Sequence, residues 1–173
     1  MSVSFRRAEL EDADTVGFIT SRSWQAAYRG IVPEDYLAGV TPEYRARKYR
    51  ESYPLLEGVE FYLVFVDGSP SGAMNLHRCR DEGLTGCGEI GIFYFLPEYW
   101  GRGCATETMQ FALERLKELG YGSVLLWVLE DNHRARRFYE KQGFVADGGR
   151  KMITRGKELA DIRYRKAIEG PSP

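Results

Sequence analysis

The chain has 173 residues, and its 24 basic and 25 acidic side chains give a formal net charge of −1. This balance excludes nucleic acid and an anionic membrane surface as default partners, and the length predicts one domain, residues 1–168, before a frayed tail, residues 169–173. Three cysteines without framework spacing, and no apolar stretch of signal or membrane-span length, indicate a cytoplasmic protein with free thiols.

One strand and three helical segments are predicted before residue 51: residues 3–7, 10–28, 34–37 and 42–50. The first helix opens on ELEDAD, whose acidic side chains suit the positive end of a helix dipole. Gly30 and Pro33 interrupt the helical pattern after it. The last segment is rich in arginine and lysine, and we interpret its basic residues as a solvated helix face: Arg45, Arg47, Lys48 and Arg50.

An antiparallel meander is predicted next, with strands at residues 60–66, 72–79 and 88–96. The sequence DGSP between the first two strands is a typical hairpin turn, and the short polar loop RDEGLTG joins the last two. These connections are too short for crossover helices, so the three strands should pair with their sequence neighbours.

The second half of the chain predicts alternating helices and strands. Apolar residues at helical spacing run from Ala105 to Leu119, a continuous apolar strand covers residues 124–129, and a second helix covers residues 132–142. Asp131 or Asn132 can cap that helix. Closing strands are expected at residues 144–146 and 161–165. The fold class is therefore α/β, with a mixed central sheet and flanking helices.

The junction PEYWGRGCATETM, residues 97–109, places small residues where a strand ends and a helix begins. Pro97 ends the strand, and the first amides of a helix starting near Gly103 have no partners within the helix. They lie at the positive end of the dipole, where an anion is stabilised. Gly101, Gly103 and Ala105 leave these amides uncovered, and Arg102 adds positive charge. A phosphate or pyrophosphate can therefore approach the backbone.

Two alternatives to a phosphate cradle of this kind remain open on these residues. The glycines can serve turn geometry alone. A dinucleotide site is the second alternative, because GRGCAT follows a strand and Glu130 follows the next one. Against that reading, Thr106 stands in place of the third glycine, and a meander precedes the motif. A P-loop is excluded, since no Gly-Lys-Ser/Thr follows.

A second motif, EDNHRARRFYEKQGF at residues 130–144, completes a pattern. Together with the junction, it resembles the GNAT superfamily of acyl-CoA-dependent N-acetyltransferases over most of the chain. The resemblance implies a GNAT-type sheet, an antiparallel meander followed by a β-α-β-α-β segment. It also implies direct transfer of an acetyl group from acetyl-CoA to a primary amine of a small molecule or peptide, with coenzyme A as product. A homodimer is common among such proteins.

The resemblance assigns cofactor contacts to a strand, a loop and a helix cap. The main chain of Phe93, Tyr94 and Phe95 would meet the pantetheine arm, and Asn132 would also contact that arm. Trp100 stands where the family usually has Gln or Arg, which weakens a role for that side chain but leaves the amides available. The family's pyrophosphate loop falls on residues 100–105, and the amides that would cradle the diphosphate belong to Gly101, Arg102, Gly103, Cys104, Ala105 and Thr106.

Tyr139 and Glu89 are the catalytic candidates that the resemblance implies. A phenol at Tyr139 would protonate the leaving thiolate, and its alternative role is a core aromatic beside Phe138. Glu89 would take the proton of the amine, and its alternative is a strand-end charge in solvent. Trp127 occupies the position where the branch that acetylates ribosomal-protein N-termini has a Glu, which argues against that branch's substrate.

The acceptor side has weaker candidates. Trp24, Tyr28 and Tyr36 could line an aromatic pocket, or they could serve ordinary packing of helix against sheet. No metal is predicted, because His77 and His133 lack partners at ligand spacing. A catalytically silent acyl-CoA sensor is the alternative function, and Tyr139 favours the enzyme over it.

Overall fold

A seven-stranded mixed sheet organises residues 1–168, the part of the chain that this computed structural model describes. The predicted tail, residues 169–173, lies outside the described residues. The strands are β1 Val3–Arg7, β2 Glu60–Val66, β3 Ser69–Arg78, β4 Cys87–Phe95, β5 Ser123–Leu129, β6 Val145–Thr154 and β7 Glu158–Ala167. The helices are α1 Ala13–Ala27, α2 Glu34–Ala38, α3 Pro42–Ser52, α4 Cys104–Glu118 and α5 His133–Lys141.

The strand order is β1-β2-β3-β4-β5-β7-β6. Strands β1 to β4 pair antiparallel with their sequence neighbours, β4 and β5 are parallel, and β7 is antiparallel to both β5 and β6. The predicted fold class, a meander followed by a β-α-β-α-β segment, is confirmed. The parallel β4–β5 pair requires a crossover, and α4 supplies it.

Helices cover both faces of the sheet, and each face has its own apolar core. On one face Met109 and Leu116 of α4 pack with Phe144 against Ile90 and Leu126. On the other face Val16 and Ile19 of α1 pack with Tyr49 of α3 against Leu63 and Ala73. Strand β5 is buried on both sides, which explains its continuous apolar run. No helix among the described residues is both long enough and apolar enough to span a membrane.

Four predicted elements have bounds that differ by three residues or more: the first helix, the two closing strands, and β3, which begins at Ser69 and not at residue 72. A 3-10 turn, Leu10–Asp12, precedes α1, so the first α-helix starts three residues later than predicted. The closing strands are far longer than predicted. Strands β6 and β7 have ten residues each, and they form a hairpin. Strand β6 is almost entirely exposed and contains Gly148 and Gly149. It therefore lacks the apolar alternation that marks a half-buried strand.

Helices α1 and α3 approach closely at Gly17. A methyl group on Gly17 would lie 2.5 Å from the Pro42 carbonyl oxygen and 2.7 Å from the Ala46 amide nitrogen. In an isolated helix, Gly→Ala gains about 1 kcal/mol. Here backbone blocks the methyl group, so we expect Gly17→Ala to destabilise the fold by about 1–3 kcal/mol. Urea unfolding measures this. Gly122→Ala is the control, since no heavy atom lies within 4 Å of its added methyl; equal stability of the two variants would contradict the packing argument.

Candidate active site

Strands β4 and β5 pair over only three positions and then separate. The pairs are Cys87–Ser123, Gly88–Val124 and Glu89–Leu125, although the strands continue to Phe95 and Leu129. A cavity of about 310 Å³ lies beside this gap, and we call it the strand cavity. Its walls come from the two strands, α1, α5 and the β6–β7 hairpin.

A second cavity of about 550 Å³, the helix cavity, lies between α5 and the loop before α4. It is lined by Tyr99, Gly101 and Ala105 on one side and by Phe138 and Lys141 on the other. The two cavities share lining residues and therefore adjoin. The shared residues are Phe93, Phe95, Trp100, Arg134, Ala135 and Tyr139.

The loop before α4 leaves its amides free. Gly101 and Gly103 have φ of 70° and 88°, in the left-handed region that favours glycine, and Gly103 caps α4. Within the described residues, the amides of residues 101–105 donate to no backbone carbonyl, although those of Cys104 and Ala105 lie near the Cys104 sulfur. Thr106 differs from the prediction: its amide donates to the Gly103 carbonyl at 3.1 Å. The free amides are thus one fewer than the sequence suggested.

Side chains around this loop divide between packing and exposure. Cys104 is fully buried, and its thiol donates to the Tyr99 carbonyl at 3.2 Å. Burial raises the pKa of this thiol, so Cys104 fills space and is poorly suited to act as a nucleophile. Arg102 is exposed, with its guanidinium 5.4 Å from the Tyr99 ring centroid.

Arg134 is a residue that the sequence analysis missed. Its guanidinium carbon lies 3.4 Å from the ring centroid of Trp100, and Trp100 in turn donates from Nε1 to the Phe95 carbonyl at 2.9 Å. The stack places a cation where both cavities meet. The signal lay in the departure at position 100: an aromatic face there can hold a guanidinium from a neighbouring helix.

Main-chain groups of β4 face the gap at alternate residues. The Leu96 amide donates to Ser71 of β3, so the groups of Tyr94 also point to β3 while those of Phe93 and Phe95 point to the gap. The Phe95 carbonyl already accepts from Ser23 Oγ at 2.8 Å and from Trp100. Of the three predicted residues, Phe93 therefore has the main-chain groups most available to a ligand in the gap. The main-chain groups of Tyr94 point away from the gap, toward β3.

Asn132 is the buried N-cap of α5. Its side-chain oxygen accepts from the Ala135 amide at 3.3 Å, which confirms the capping prediction and excludes Asp131. Asn132 also lines the strand cavity, so capping and a ligand contact are compatible.

Tyr139 lines both cavities. Its ring packs edge-on against Phe93, Phe138 and Phe144, at centroid distances of 6.4, 5.5 and 6.1 Å. Its hydroxyl has no hydrogen-bond partner among the described residues. Burial raises the pKa of Tyr139 well above its ordinary value, so the hydroxyl stays protonated at neutral pH. The ring is part of the core, and the hydroxyl is a free donor.

Glu89 is the last residue of β4 that pairs with β5, and its side chain lines the strand cavity. The side chain is only 14% exposed, with His77 Nε2 at 3.5 Å. Burial raises the pKa of Glu89, and the negative charge of Asp81 acts in the same direction. The structure does not support the alternative of a strand-end charge in solvent.

The aromatic candidates divide. Trp24 and Tyr28 line the strand cavity, where Trp24 Nε1 donates to the Tyr94 hydroxyl at 3.0 Å. Tyr36 lines neither cavity and lies beside Gly156 in the β6–β7 turn. Arg45 corrects the prediction of a solvated basic face, because its guanidinium stacks on Trp24 at 4.3 Å.

The β6–β7 hairpin adds charged residues that the sequence analysis did not identify. Asp161 and Arg155 are half-buried in the strand cavity beside Lys151, whose ammonium lies 4.0 Å from the Trp127 ring centroid. Asp161 has no ion-pair partner within 4 Å among the described residues. Burial raises the pKa of Asp161.

Three potential metal ligands cluster beneath the strand cavity. Ligand atoms of Cys79, Asp81 and Glu89 lie within 4.8 Å of one another. Asp81 is already paired with Arg163 at 3.0 Å, and burial raises the pKa of the Cys79 thiol. We assign no metal to this group.

Comparisons with known proteins place this geometry in a family. The profile of the acetyltransferase (GNAT) family matches residues 22–144. An uncharacterised N-acetyltransferase of Archaeoglobus fulgidus is 44% identical over 145 residues, 81% of this chain and 91% of the relative. A spermidine N(1)-acetyltransferase of Thermoplasma acidophilum is 26% identical over 155 residues, 85% of this chain and 91% of the relative.

A solved structure has the same fold. The PaiA N-acetyltransferase of Thermoplasma acidophilum, in complex with coenzyme A, superimposes with a TM-score of 0.75 and 23% identity, covering 97% of this chain and all of the other. The profile match spans most of the chain and includes both motifs singled out in the sequence. The chain therefore belongs to the GNAT family of acetyltransferases.

Proposed function

We propose that the chain transfers the acetyl group of acetyl-CoA directly to a primary amine of a small molecule or peptide. Tyr139 acts as general acid and Glu89 as general base. One observation carries the proposal: two adjoining cavities meet at Tyr139, one bordered by unpaired loop amides and the other by a half-buried carboxyl group. Two substrates could thus enter from different sides and meet at one hydroxyl.

The residues around the helix cavity fit coenzyme A. Free amides at 101–105 and the guanidinium of Arg134 suit a diphosphate, and the free edge of β4 at Phe93 suits an amide-containing arm. Acetyl-CoA supplies an acetyl group already activated as a thioester. The relative solved with coenzyme A has this fold, which supports the same placement.

The two proton transfers balance with these side chains. Glu89 accepts the proton that the attacking amine loses, and Tyr139 donates a proton to the departing sulfur. Each group has a suitable environment: the carboxyl group has a raised pKa, and the phenol stays protonated. The reaction needs no covalent bond to the enzyme.

The strand cavity has carboxyl groups that can bind an amine. Glu89 and Asp161 both line it beside the cations Lys151 and Arg155, and neither carboxyl group has an Arg or Lys ion-pair partner within 4 Å among the described residues. A relative is named a spermidine N(1)-acetyltransferase, which is an example of an acceptor with several amines. The three cysteines are buried and free, in agreement with a reducing compartment such as the cytoplasm.

The proposal is tested by steady-state release of free thiol from acetyl-CoA in the presence of an amine panel. Mono-, di- and polyamines, amino acids and short peptides should be included. Turnover with at least one amine supports the enzyme. Binding of coenzyme A without turnover across the panel would instead favour the sensor, and thermal stabilisation by NAD but not by coenzyme A would favour a dinucleotide site.

We expect Asp161→Asn to weaken recognition of a second ammonium. Its kcat/KM for 1,3-diaminopropane should fall about five- to tenfold, which corresponds to one partly exposed ion pair, while propylamine is little affected. Glu158→Gln is the matched control, because that carboxyl group is exposed on the same strand. Equal losses of kcat/KM for the two amines would show that Asp161 does not bind the second ammonium group.

A further inference from the structure

His77 and Glu89 are direct cross-strand partners on β3 and β4. His77 Nε2 lies 3.5 Å from Glu89 Oε2, and the two side chains are only 6% and 14% exposed. His77 Nδ1 lies 2.7 Å from the Arg78 carbonyl oxygen. Since a carbonyl can only accept, Nδ1 carries the proton. In the neutral ring, Nε2 therefore directs a lone pair at the carboxyl group.

The backbone holds this arrangement in place. The β3–β4 register shifts between Asn75 and Leu76, leaving Gly91 of β4 without a cross-strand partner, and Asn75 Oδ1 accepts from the Ile92 amide at 2.9 Å. A methyl group on Gly91 would lie 2.4 Å from Asn75 Oδ1 and 2.7 Å from His77 Nε2. Only glycine leaves room here, so the bulge is shaped around the imidazole.

We propose that His77 is a positioning residue for the general base: it turns Glu89 toward the strand cavity and shares the proton that Glu89 removes from the amine. The inference rests on the proposed role of Glu89. As the amine N–H bond breaks, its proton bonds to the Glu89 carboxylate. The resulting carboxyl O–H donates to His77 Nε2, which stabilises the protonated base.

Other charges near the pair do not replace this role. Glu89 also faces Asp81 and Arg80 from the β3–β4 loop, Lys151 from β6 and the Cys79 thiol, and His77 also faces Arg80. Burial lowers the pKa of His77, so the ring is neutral near pH 7. These neighbours are the same in every variant below, and a difference between variants therefore reports on position 77.

The test is His77→Gln, whose amide can donate to the Glu89 carboxylate where imidazole accepts. A donor favours the ionised form. We expect the acidic limb of the kcat/KM profile to move down by about one pH unit, with a lower plateau because the base is weaker. His133→Gln is the control, since His133 is exposed. An unchanged limb, or one that moves up, would overturn the proposal.

A second readout is the pKa of Glu89 itself, from the pH dependence of its carboxyl carbon shift in labelled protein. It should fall in His77→Gln whether or not Glu89 is the base. If Glu89→Gln keeps full activity, Glu89 is not the general base, while its pairing with His77 still stands. Should His77→Gln not fold, Gly91→Ala displaces the ring instead, and an unaltered Glu89 titration there would equally refute the pairing.

Discussion

We expect Tyr139→Phe to lower kcat by about 100-fold or more, while affinity for coenzyme A stays nearly unchanged. The variant keeps the ring that packs against Phe93, Phe138 and Phe144 and removes only the unpartnered hydroxyl. Without a donor, the sulfur must leave as an unprotonated thiolate. Turnover is followed by thiol release and affinity by calorimetry with coenzyme A.

Tyr53→Phe is the matched control for this prediction. Tyr53 is half-buried, packs near Tyr49 on the opposite face of the sheet, and lines neither cavity. Its activity should equal that of the wild type. Wild-type kcat in Tyr139→Phe would remove Tyr139 from the chemistry, and a parallel loss of coenzyme A affinity would assign it a structural role.

We expect Ala105→Glu to weaken coenzyme A binding by about 100-fold or more, because like charges brought together in a partly buried site cost several kcal/mol. Ala105 is half-buried and lines the helix cavity at the first turn of α4. A carboxylate there suits the helix dipole, so the fold is retained while the diphosphate is repelled. Calorimetry and the thermal shift caused by coenzyme A both measure the loss.

Gln110→Glu adds the same charge to the same helix at an exposed position. Its affinity for coenzyme A should be close to that of the wild type. Part of the loss in Ala105→Glu should also disappear at high salt, since screening weakens charge repulsion. Unaltered binding by Ala105→Glu would mean that the diphosphate lies elsewhere.

Features set by local sequence were predictable. The bounds of β1 and β2 agree with the structure, and Asn132 caps α5 as expected, because alternation, turn residues and capping are properties of short segments. The family and its activity class followed from two motifs, and the comparisons confirm them. The assignment of Tyr139 as the general acid depended on that resemblance, since spacing alone also allowed a core aromatic.

Features set by register and by distant segments were not predictable. His77 meets Glu89 only through the bulged β3–β4 register, and nothing near either residue in the sequence reveals it. Asp161 reaches the strand cavity because β6 and β7 form a long hairpin. The sequence of β6 does not predict that hairpin, because it consists largely of exposed polar residues and glycines. The role of Arg134 could not be predicted, because the sequence does not show that α5 lies beside Trp100. Tyr36 shows the converse, because proximity in sequence to Trp24 and Tyr28 did not bring it to the cavity.

The separation of β4 from β5 after Glu89 has a mechanical consequence. Strands β1 to β4 form one part of the sheet and strands β5 to β7 form the other. Within the sheet, only three residue pairs of β4 and β5 join the two parts. An extended ligand between the two parts can form hydrogen bonds to both strands with its own amide groups. A ligand bound there would thus join the two parts by more hydrogen bonds than the three residue pairs supply.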